Sequence, residues 1–298
     1  MAATNNRSIE RNSLGRLVFD VGFNIGQDTA FYLSQGHRVV AVEADPVLAA
    51  AGHERFQREI ASGQLEIVNV GIAECEGFAD FWICEGKPEF NSFFKEIAAR
   101  DGRSHHKISV PTTRFANILE RFGTPYFLKV DIEGHDMLCL EALDSRYLPQ
   151  YLSVESECAR DGSTPSVEDG LRMLWCLRDL GYAKFKLIDQ LTFASLSVPR
   201  SINHILHGFC DHYLLESYLR HMVGSYRLSQ LLMPKLRLER AFKREFPLGC
   251  SGVWGEDTPG RWLSWQQAER AYRYYRDLHF QNSDALHYSF WCDWHARA

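Results

Sequence analysis

Short apolar runs, each ending at a glycine or an acid, recur along the first two-thirds of the chain. Leu17-Val18-Phe19-Asp20-Val21 ends at Gly22 and reads as a buried strand. Gln27 to Ser34 reads as a helix closed by Gly36, a residue that enters a left-handed C-cap without strain. Arg38 to Val42, ending at Glu43, is the second strand. A helix follows the first-turn proline Pro46, and Leu65 to Val70 is the third strand. Strands alternating with helices imply parallel pairing in a doubly wound α/β sheet.

Phe78 to Cys84 alternates after Glu76-Gly77, which predicts a small hairpin at the sheet margin. Asp101 to Lys107 reads as a polar loop that leaves His105-His106 solvated. Arg114 to Phe122 is helical, capped by Thr112 or Thr113 and stopped at Gly123. Tyr126 to Asp131 and Tyr151 to Glu155 are further strands. Ser166 and Asp169 resemble a capping box opening a helix that runs to Gly181, and Ala183 to Ile188 is the sixth strand. From about Pro199 the strand signal fades. Leu214, Tyr218, Met222 and Tyr226 make one helical stripe, and Ala268, Tyr272, Tyr275 and His279 make another that starts at Ser264 and Gln267. Tyr288 to His295 is aromatic-rich and strand-like.

Composition narrows the class. With 298 residues, 45% of them hydrophobic and 24% charged, the chain buries a sizeable core and is neither disordered nor a small disulfide scaffold. A net charge of −5 argues against a nucleic-acid binder held by phosphate neutralisation. The eight cysteines are scattered without a CxxC pair, which points to a reducing compartment and no structural zinc. Met1 to Leu14 is polar and unlike a secretory signal, and no run approaches the ~18 apolar residues of a membrane span. A soluble, cytoplasmic protein is expected, with its oligomeric state open.

Two stretches carry candidate chemistry. Asp20-Val21-Gly22-Phe23-Asn24-Ile25-Gly26 links the first strand to the first helix, and its glycines let the backbone turn and approach a ligand. Glu43, at the tip of the second strand, suits an acid gripping ribose hydroxyls. A nicotinamide-binding loop would read GxGxxG. Here Asn24 replaces the middle glycine, and Asp20 would repel a pyrophosphate while suiting an amine and a sulfonium. S-adenosylmethionine is therefore favoured over NAD. In Phe127 to Asp136, period two puts Lys129, Asp131 and Glu133 on one side, at the strand end that forms the ligand crevice. A lysine within a covered sheet needs a carboxylate partner.

The pair of motifs at 20–29 and 129–136, Asp-Val-Gly-Phe-Asn-Ile-Gly-Gln-Asp-Thr and Lys-Val-Asp-Ile-Glu-Gly-His-Asp, resembles the FkbM-type methyltransferases over roughly residues 16 to 190. Phe23 stands where that family often has a small residue. The resemblance implies a class I methyltransferase: a Rossmann-like α/β fold with a seven-stranded, mostly parallel sheet whose last strand is antiparallel. It implies S-adenosylmethionine as donor and a hydroxyl acceptor. Asp20, Gly22, Asn24, Gly26, Thr29, Glu43, Asn69 and Asp131 become the cofactor candidates, and Asp131 to His135 would lie beside the transferred methyl. Residues 199–282 become a helical lid inserted before the final strand, within one domain spanning 15–298 behind a disordered segment 1–14.

A hydroxyl is a weak nucleophile, so a base or a metal should help remove its proton. His135 is the first candidate base, with Asp131 and Glu133 as alternatives. Asp131 with Glu155 (or Glu157) would suit Mg²⁺ or Ca²⁺, although Glu155 and Glu157 would equally serve as partners of Lys129. The irregular spacing of His204, His207 and His212 argues against a metal site. Five of the seven tryptophans follow residue 253. Trp254 could stack on a sugar while Glu256 or Asp257 binds hydroxyls. The reading is an O-methyltransferase for a saccharide, glycolipid or other small natural product. Its competitors are a non-catalytic scaffold of the same fold and an NAD-dependent oxidoreductase.

Overall fold

In the computed structural model, which describes residues 15–156, 166–190, 193–198, 246, 250–281 and 291–298, the first apolar run forms β1 (Leu17–Val21). Its side chains leave alternately, so Phe19 and Val21 enter one apolar layer while Val18 enters another. Asp20 shares the side of Val18. The chain continues through α1 (Gln27–Ser34), β2 (Arg38–Glu43), α2 (Pro46–Arg55), α3 (Gln57–Ala61) and β3 (Leu65–Asn69). β1 pairs parallel with β2, and β2 with β3, each crossover being made by helix. Asp45 accepts from the Val47 backbone N–H at 2.8 Å and so starts α2 just ahead of Pro46.

The next segment departs from the sequence reading. β4 (Gly71–Ile72), β5 (Gly77–Cys84) and β6 (His105–Thr113) form a separate three-stranded sheet, with α4 (Lys95–Ala98) between the last two. β6 covers the residues expected to be a polar loop, and His106 pairs with Ile83 in the antiparallel ladder. Backbone pairing along the whole of β5 sets the conformation here, while Lys107 and Ser109 keep their side chains exposed. Thr112 and Thr113 therefore end a strand. Arg114 takes the N-cap position of α5 (Phe115–Phe122) without a side-chain cap bond.

β7 (Phe127–Val130), α6 (Asp136–Glu141), β8 (Tyr151–Glu155), α7 (Val167–Asp179), β9 (Lys184–Asp189) and β10 (Ser195–Leu196) follow. After the insertion come α8 (Trp265–Gln281) and β11 (Cys292–Arg297). The large sheet is eight-stranded, in the order β10-β9-β11-β8-β7-β1-β2-β3. β11 runs antiparallel between β8 and β9, as the class I arrangement requires, and the two-residue β10 adds an antiparallel edge beyond the seven expected strands. The fold is Rossmann-like α/β. The capping box of α7 forms between Ser166 and Asp169. Ser264 and Gln267 exchange hydrogen bonds in the same way at the start of α8.

Residues 199–245, with the stripe at Leu214 to Tyr226, lie outside the described residues, as do 1–14 and Tyr288 to Phe290. The described end of the insertion packs onto the sheet. Leu263 bridges to Phe185 of β9, and Lys186 donates to the Thr258 carbonyl at 2.7 Å. On the opposite face α8 buries Ala268, Ala271 and Tyr272 against α7, where Gly170 leaves room for the Tyr272 ring. No helix among the described residues is long and apolar enough to cross a membrane.

Trp294 sits at the centre of this packing. It is fully buried, donates its indole N–H to the Gly170 carbonyl at 3.1 Å and lies 5.6 Å from the Tyr272 ring. Trp294→Ala is expected to lower stability by about 3–5 kcal/mol, read from the shift in urea midpoint at constant slope.

Candidate active site

Gly22, at φ 97°, crosses the end of β7 so closely that a Cβ would lie 1.8 Å from the Asp131 carbonyl oxygen. Only glycine permits that contact, which locks the loop after β1 onto the loop after β7. Phe23 turns inward: Gly26 and Gly52 leave the slot its ring fills, 6.1 Å from Phe56. The Asn24 backbone N–H donates to Glu43 Oε2 at 2.7 Å, and the Asp45 N–H donates to Oε1 at 2.8 Å. Asn69 Nδ2 holds the Glu43 carbonyl at 2.8 Å. Burial pushes the Glu43 carboxyl up to about 7 despite those two backbone bonds. The Asn24 Oδ1 atom is buried without a hydrogen-bond partner.

Lys129 finds its carboxylates in Asp20 (3.2 Å), Asp131 (3.5 Å) and Asp28 (3.6 Å). It also donates to the Gly22 carbonyl at 3.0 Å. Burial acts to lower its pKa, but the three carboxylates together outweigh that and hold it well above the ordinary value. Asp20 is fully buried and accepts from the Thr29 hydroxyl at 2.6 Å. Asp20 and Thr29, both cofactor candidates, thus meet each other, and Asp20 also meets Lys129. Asp28, which the sequence reading passed over, accepts the Ser251 and Gly252 backbone N–H groups at 3.0 and 3.2 Å. Burial, opposed by Lys129, carries it up to about 6.

Beyond Lys129 the strand ends are acidic. One carboxylate oxygen each from Asp131, Glu133 and Glu155 lies within 4.8 Å of the others. Asp131 is the most open of the three, with 38% of its side chain exposed. Glu133 sits at φ 50° with its carbonyl held by the Ser92 hydroxyl at 2.7 Å. Burial and then the Asp131 charge push its carboxyl up to about 8, against Arg100 at 3.9 Å. Burial and the same acids raise Glu155 well above the usual carboxylate range. Asp293, also unforeseen, is directly opposite Glu155 in the β8–β11 pair and is raised by burial and then by Asp131. Asp136 accepts from the Ile132 and Gly134 N–H groups, each at 3.0 Å, and so braces the loop from inside. His135 donates Nδ1–H to the Ile72 carbonyl at 2.7 Å and stacks 4.6 Å from Phe93.

Trp254, Glu256 and Asp257, the expected acceptor-binding residues, lie away from the carboxyl ends of the strands. Trp254 stacks 4.6 Å from Phe127 and also meets Tyr126, Tyr151 and His37. Phe127 and Tyr151 open β7 and β8, so Trp254 packs at the amino ends of the strands, about 10 Å along the sheet from the carboxyl ends. Glu256 is engaged by the Tyr151 hydroxyl (3.0 Å), the Trp262 indole (2.9 Å) and Arg297 (2.7 Å). Asp257 is exposed beside it. Aromatic packing took these residues to the far end of the sheet. Glu157, His204, His207 and His212 lie outside the described residues.

A family model described as the methyltransferase FkbM domain matches residues 20–183, from within β1 to the turn after α7. No curated protein matches the chain. Solved structures do. An O-methyltransferase from Bacillus cereus in complex with SAH is 11% identical, over 58% of this chain and 66% of that one, with a TM-score of 0.33. A TehB-like SAM-dependent methyltransferase from Corynebacterium glutamicum is 12% identical, over 59% and 70%, at 0.31. A phosphoethanolamine N-methyltransferase from Haemonchus contortus is 11% identical, over 95% and 49%, at 0.37.

Lys129→Met leaves three clustered carboxylates without their ammonium and is expected to destabilise by about 3–5 kcal/mol in chemical denaturation. Between about pH 4 and 8 the folded chain holds protons on Asp28, Glu43 and Glu133 that the unfolded chain has released. Stability therefore falls as pH rises through that window. His295, kept neutral by burial down to about 3, acts in the opposite sense below about 6.5, but it is one proton against three. The ligand-free protein should melt at a higher temperature at pH 5.5 than at pH 8.

Proposed function

The chain belongs to the FkbM methyltransferase family, and on that footing we propose that it moves the methyl group of S-adenosylmethionine onto a hydroxyl oxygen of a saccharide, glycolipid or other hydroxylated natural product. The observation that carries the reading is the meeting of the Gly22–Gly26 loop with an acid-lined crevice at the carboxyl ends of β7 and β8. The residues fit the cofactor. Asn24 offers a buried carbonyl oxygen that lacks a donor, and Glu43 retains lone pairs for ribose hydroxyls beyond its two backbone bonds. The surrounding carboxylates favour a sulfonium and an ammonium. The same carboxylates disfavour a pyrophosphate, which weighs against an NAD-dependent oxidoreductase.

The donor supplies an electrophilic methyl group, and the chain supplies alignment and a destination for charge. In-line attack requires the acceptor oxygen, methyl carbon and sulfur on one axis, so rigid placement of the loop at Gly22 is itself catalytic. As the S–CH₃ bond breaks and the O–CH₃ bond forms, positive charge leaves the sulfur and reappears as the hydroxyl proton. Asp131, Glu133 and Glu155 line the crevice as the candidate acceptors of that proton, and Glu133, raised to about 8, is a strong base in the fraction that is ionised near neutral pH. His135 is the second reading. Its commitment to the Ile72 carbonyl and to Phe93 favours a wall of the loop over a base. A divalent cation on Asp131 and Glu155 would serve hydroxyl activation in another way.

Calorimetry with S-adenosylhomocysteine tests the cofactor: a folded protein that does not bind it is a scaffold of the same fold. Glu43→Ala should weaken that binding roughly 10- to 150-fold, the equivalent of a charge-assisted hydrogen bond of ~1.5–3 kcal/mol. An acceptor screen read as released S-adenosylhomocysteine then supports the second test. Glu133→Gln should lower turnover by ~10²–10⁴ with S-adenosylhomocysteine affinity within a few-fold, and His135→Ala by less than tenfold. The reverse ranking would make His135 the base.

A further inference from the structure

Resting on the methyl-transfer reading, we propose that Asn91 and Ser92 are positioning residues for the transfer, which hold the cofactor acid Glu43 in register with the turn that carries Glu133. They open a tetrapeptide, Asn91 to Phe94, in the connection between β5 and β6. The small sheet anchors it. Ser92 exchanges both backbone hydrogen bonds with Trp82 of β5, at 2.8 and 3.0 Å. From that anchor the four side chains reach both sides of the crevice.

Asn91 is buried and serves the cofactor side. Its Nδ2 donates to Asp45 Oδ2 at 3.0 Å, while its Oδ1 accepts the Cys84 backbone N–H at 2.9 Å. Those two bonds together fix which end of the amide faces Asp45. Asp45 in turn gives its backbone N–H to Glu43 Oε1 at 2.8 Å. Ser92, also buried, serves the other side. Its hydroxyl donates to the Glu133 carbonyl at 2.7 Å and accepts the Phe94 N–H at 3.0 Å. Glu133 has φ 50°, a conformation that such a residue keeps only where its surroundings hold it. The two rings that follow take slots left by two glycines. Phe93 lies against Gly71 and stacks on His135, and a Cβ at Gly134 would stand 2.7 Å from Phe94. Four consecutive residues thus each engage a different part of the crevice wall, and the path from Glu43 through Asp45, Asn91 and Ser92 to Glu133 is unbroken. The small sheet is thereby a platform for the site, and in-line transfer depends on placement of this kind.

The test uses the full chain. Calorimetry with S-adenosylhomocysteine reads the cofactor side. Asn91→Asp sets a carboxylate against Asp45 and should weaken binding roughly tenfold or more, as the loss of a charge-assisted hydrogen bond would. Asn91→Ala reads the same loss if that variant does not fold. Asn91→Asp combined with Asp45→Asn exchanges donor and acceptor while keeping the bonds to the Cys84 and Val47 N–H groups. Affinity should then return to within about threefold of the parent, a rescue that a merely loosened fold would not show. Amide exchange read by mass spectrometry tests the other side. With S-adenosylhomocysteine at saturation, Ser92→Ala should exchange residues 132–135 roughly tenfold faster while binding the ligand within about threefold of the parent. Lys87→Ala, at an exposed ion pair with Glu89 in the same connection, is the control that binds and exchanges as the parent does. A folded parent that binds no S-adenosylhomocysteine overturns the methyl-transfer reading and this proposal with it. A parent that binds it overturns this proposal alone if Asn91→Asp and Asn91→Ala keep its affinity, if the paired substitution restores nothing, or if Ser92→Ala leaves exchange at 132–135 unchanged.

Discussion

One buried ammonium organises the active end of the molecule. Lys129 leaves water entirely, and an isolated ammonium in such a place would neutralise or drag the strand outward. It is held because β1 sends Asp20, α1 sends Asp28 and the end of β7 sends Asp131 to within 3.6 Å of it. That requirement reaches further than the pair contacts. Asp28 also ties the Ser251 and Gly252 backbone to the sheet, and Lys129 also binds the Gly22 carbonyl. The glycine loop, the central strands and the returning insertion are thus in register because one charge has no other way to be satisfied. Such an arrangement adds less net stability than an apolar equivalent would, and here it specifies position.

The acids beyond Lys129 serve a different need. Glu133, Glu155 and Asp293 are raised first by burial and then by neighbouring acids, Asp131 being common to all three, so the folded chain carries strain in proportion to its charge. Natural folds retain strain of that kind at sites that do chemistry. The strain is relieved by whatever brings positive charge to the crevice. A sulfonium bound there would do so. The opposite end of the sheet is satisfied internally: Trp254 and Glu256 are packed and hydrogen-bonded among aromatic rings.

What could be read from sequence was what short-range pattern determines. The runs at 17–21 and 127–130 are apolar with a single interrupting acid or lysine, that at 38–43 is apolar between Arg38 and Glu43, and the glycines nearby mark the turns. The site's first members, Asp131 and Glu43, followed from strand ends alone. β6 was missed because its pairing, with β5, is set by a partner twenty residues away and its exposed face is polar. The packing of Trp254 on Phe127 was left open by the sequence because an indole beside acids looks the same whether it stacks on a sugar or on a core ring. Asp28 and Asp293 were overlooked, although each left a trace. Asp28 opens the first helix two residues after Gly26, and Asp293 breaks an otherwise hydrophobic run in a strand whose neighbours Cys292 and Trp294 are buried.

The place of β11 has a consequence for how the chain reaches this state. β8 and β9 are made about a hundred residues before the strand that must lie between them. Until β11 arrives, each presents an open edge, and the two are free to pair with each other in parallel, a ladder that would be locally sound and globally wrong. Escape from that state requires breaking a complete set of backbone bonds. The late antiparallel strand therefore makes assembly of the sheet a kinetic gate, and the long excursion before it sets how long the nascent chain must be kept from closing too early.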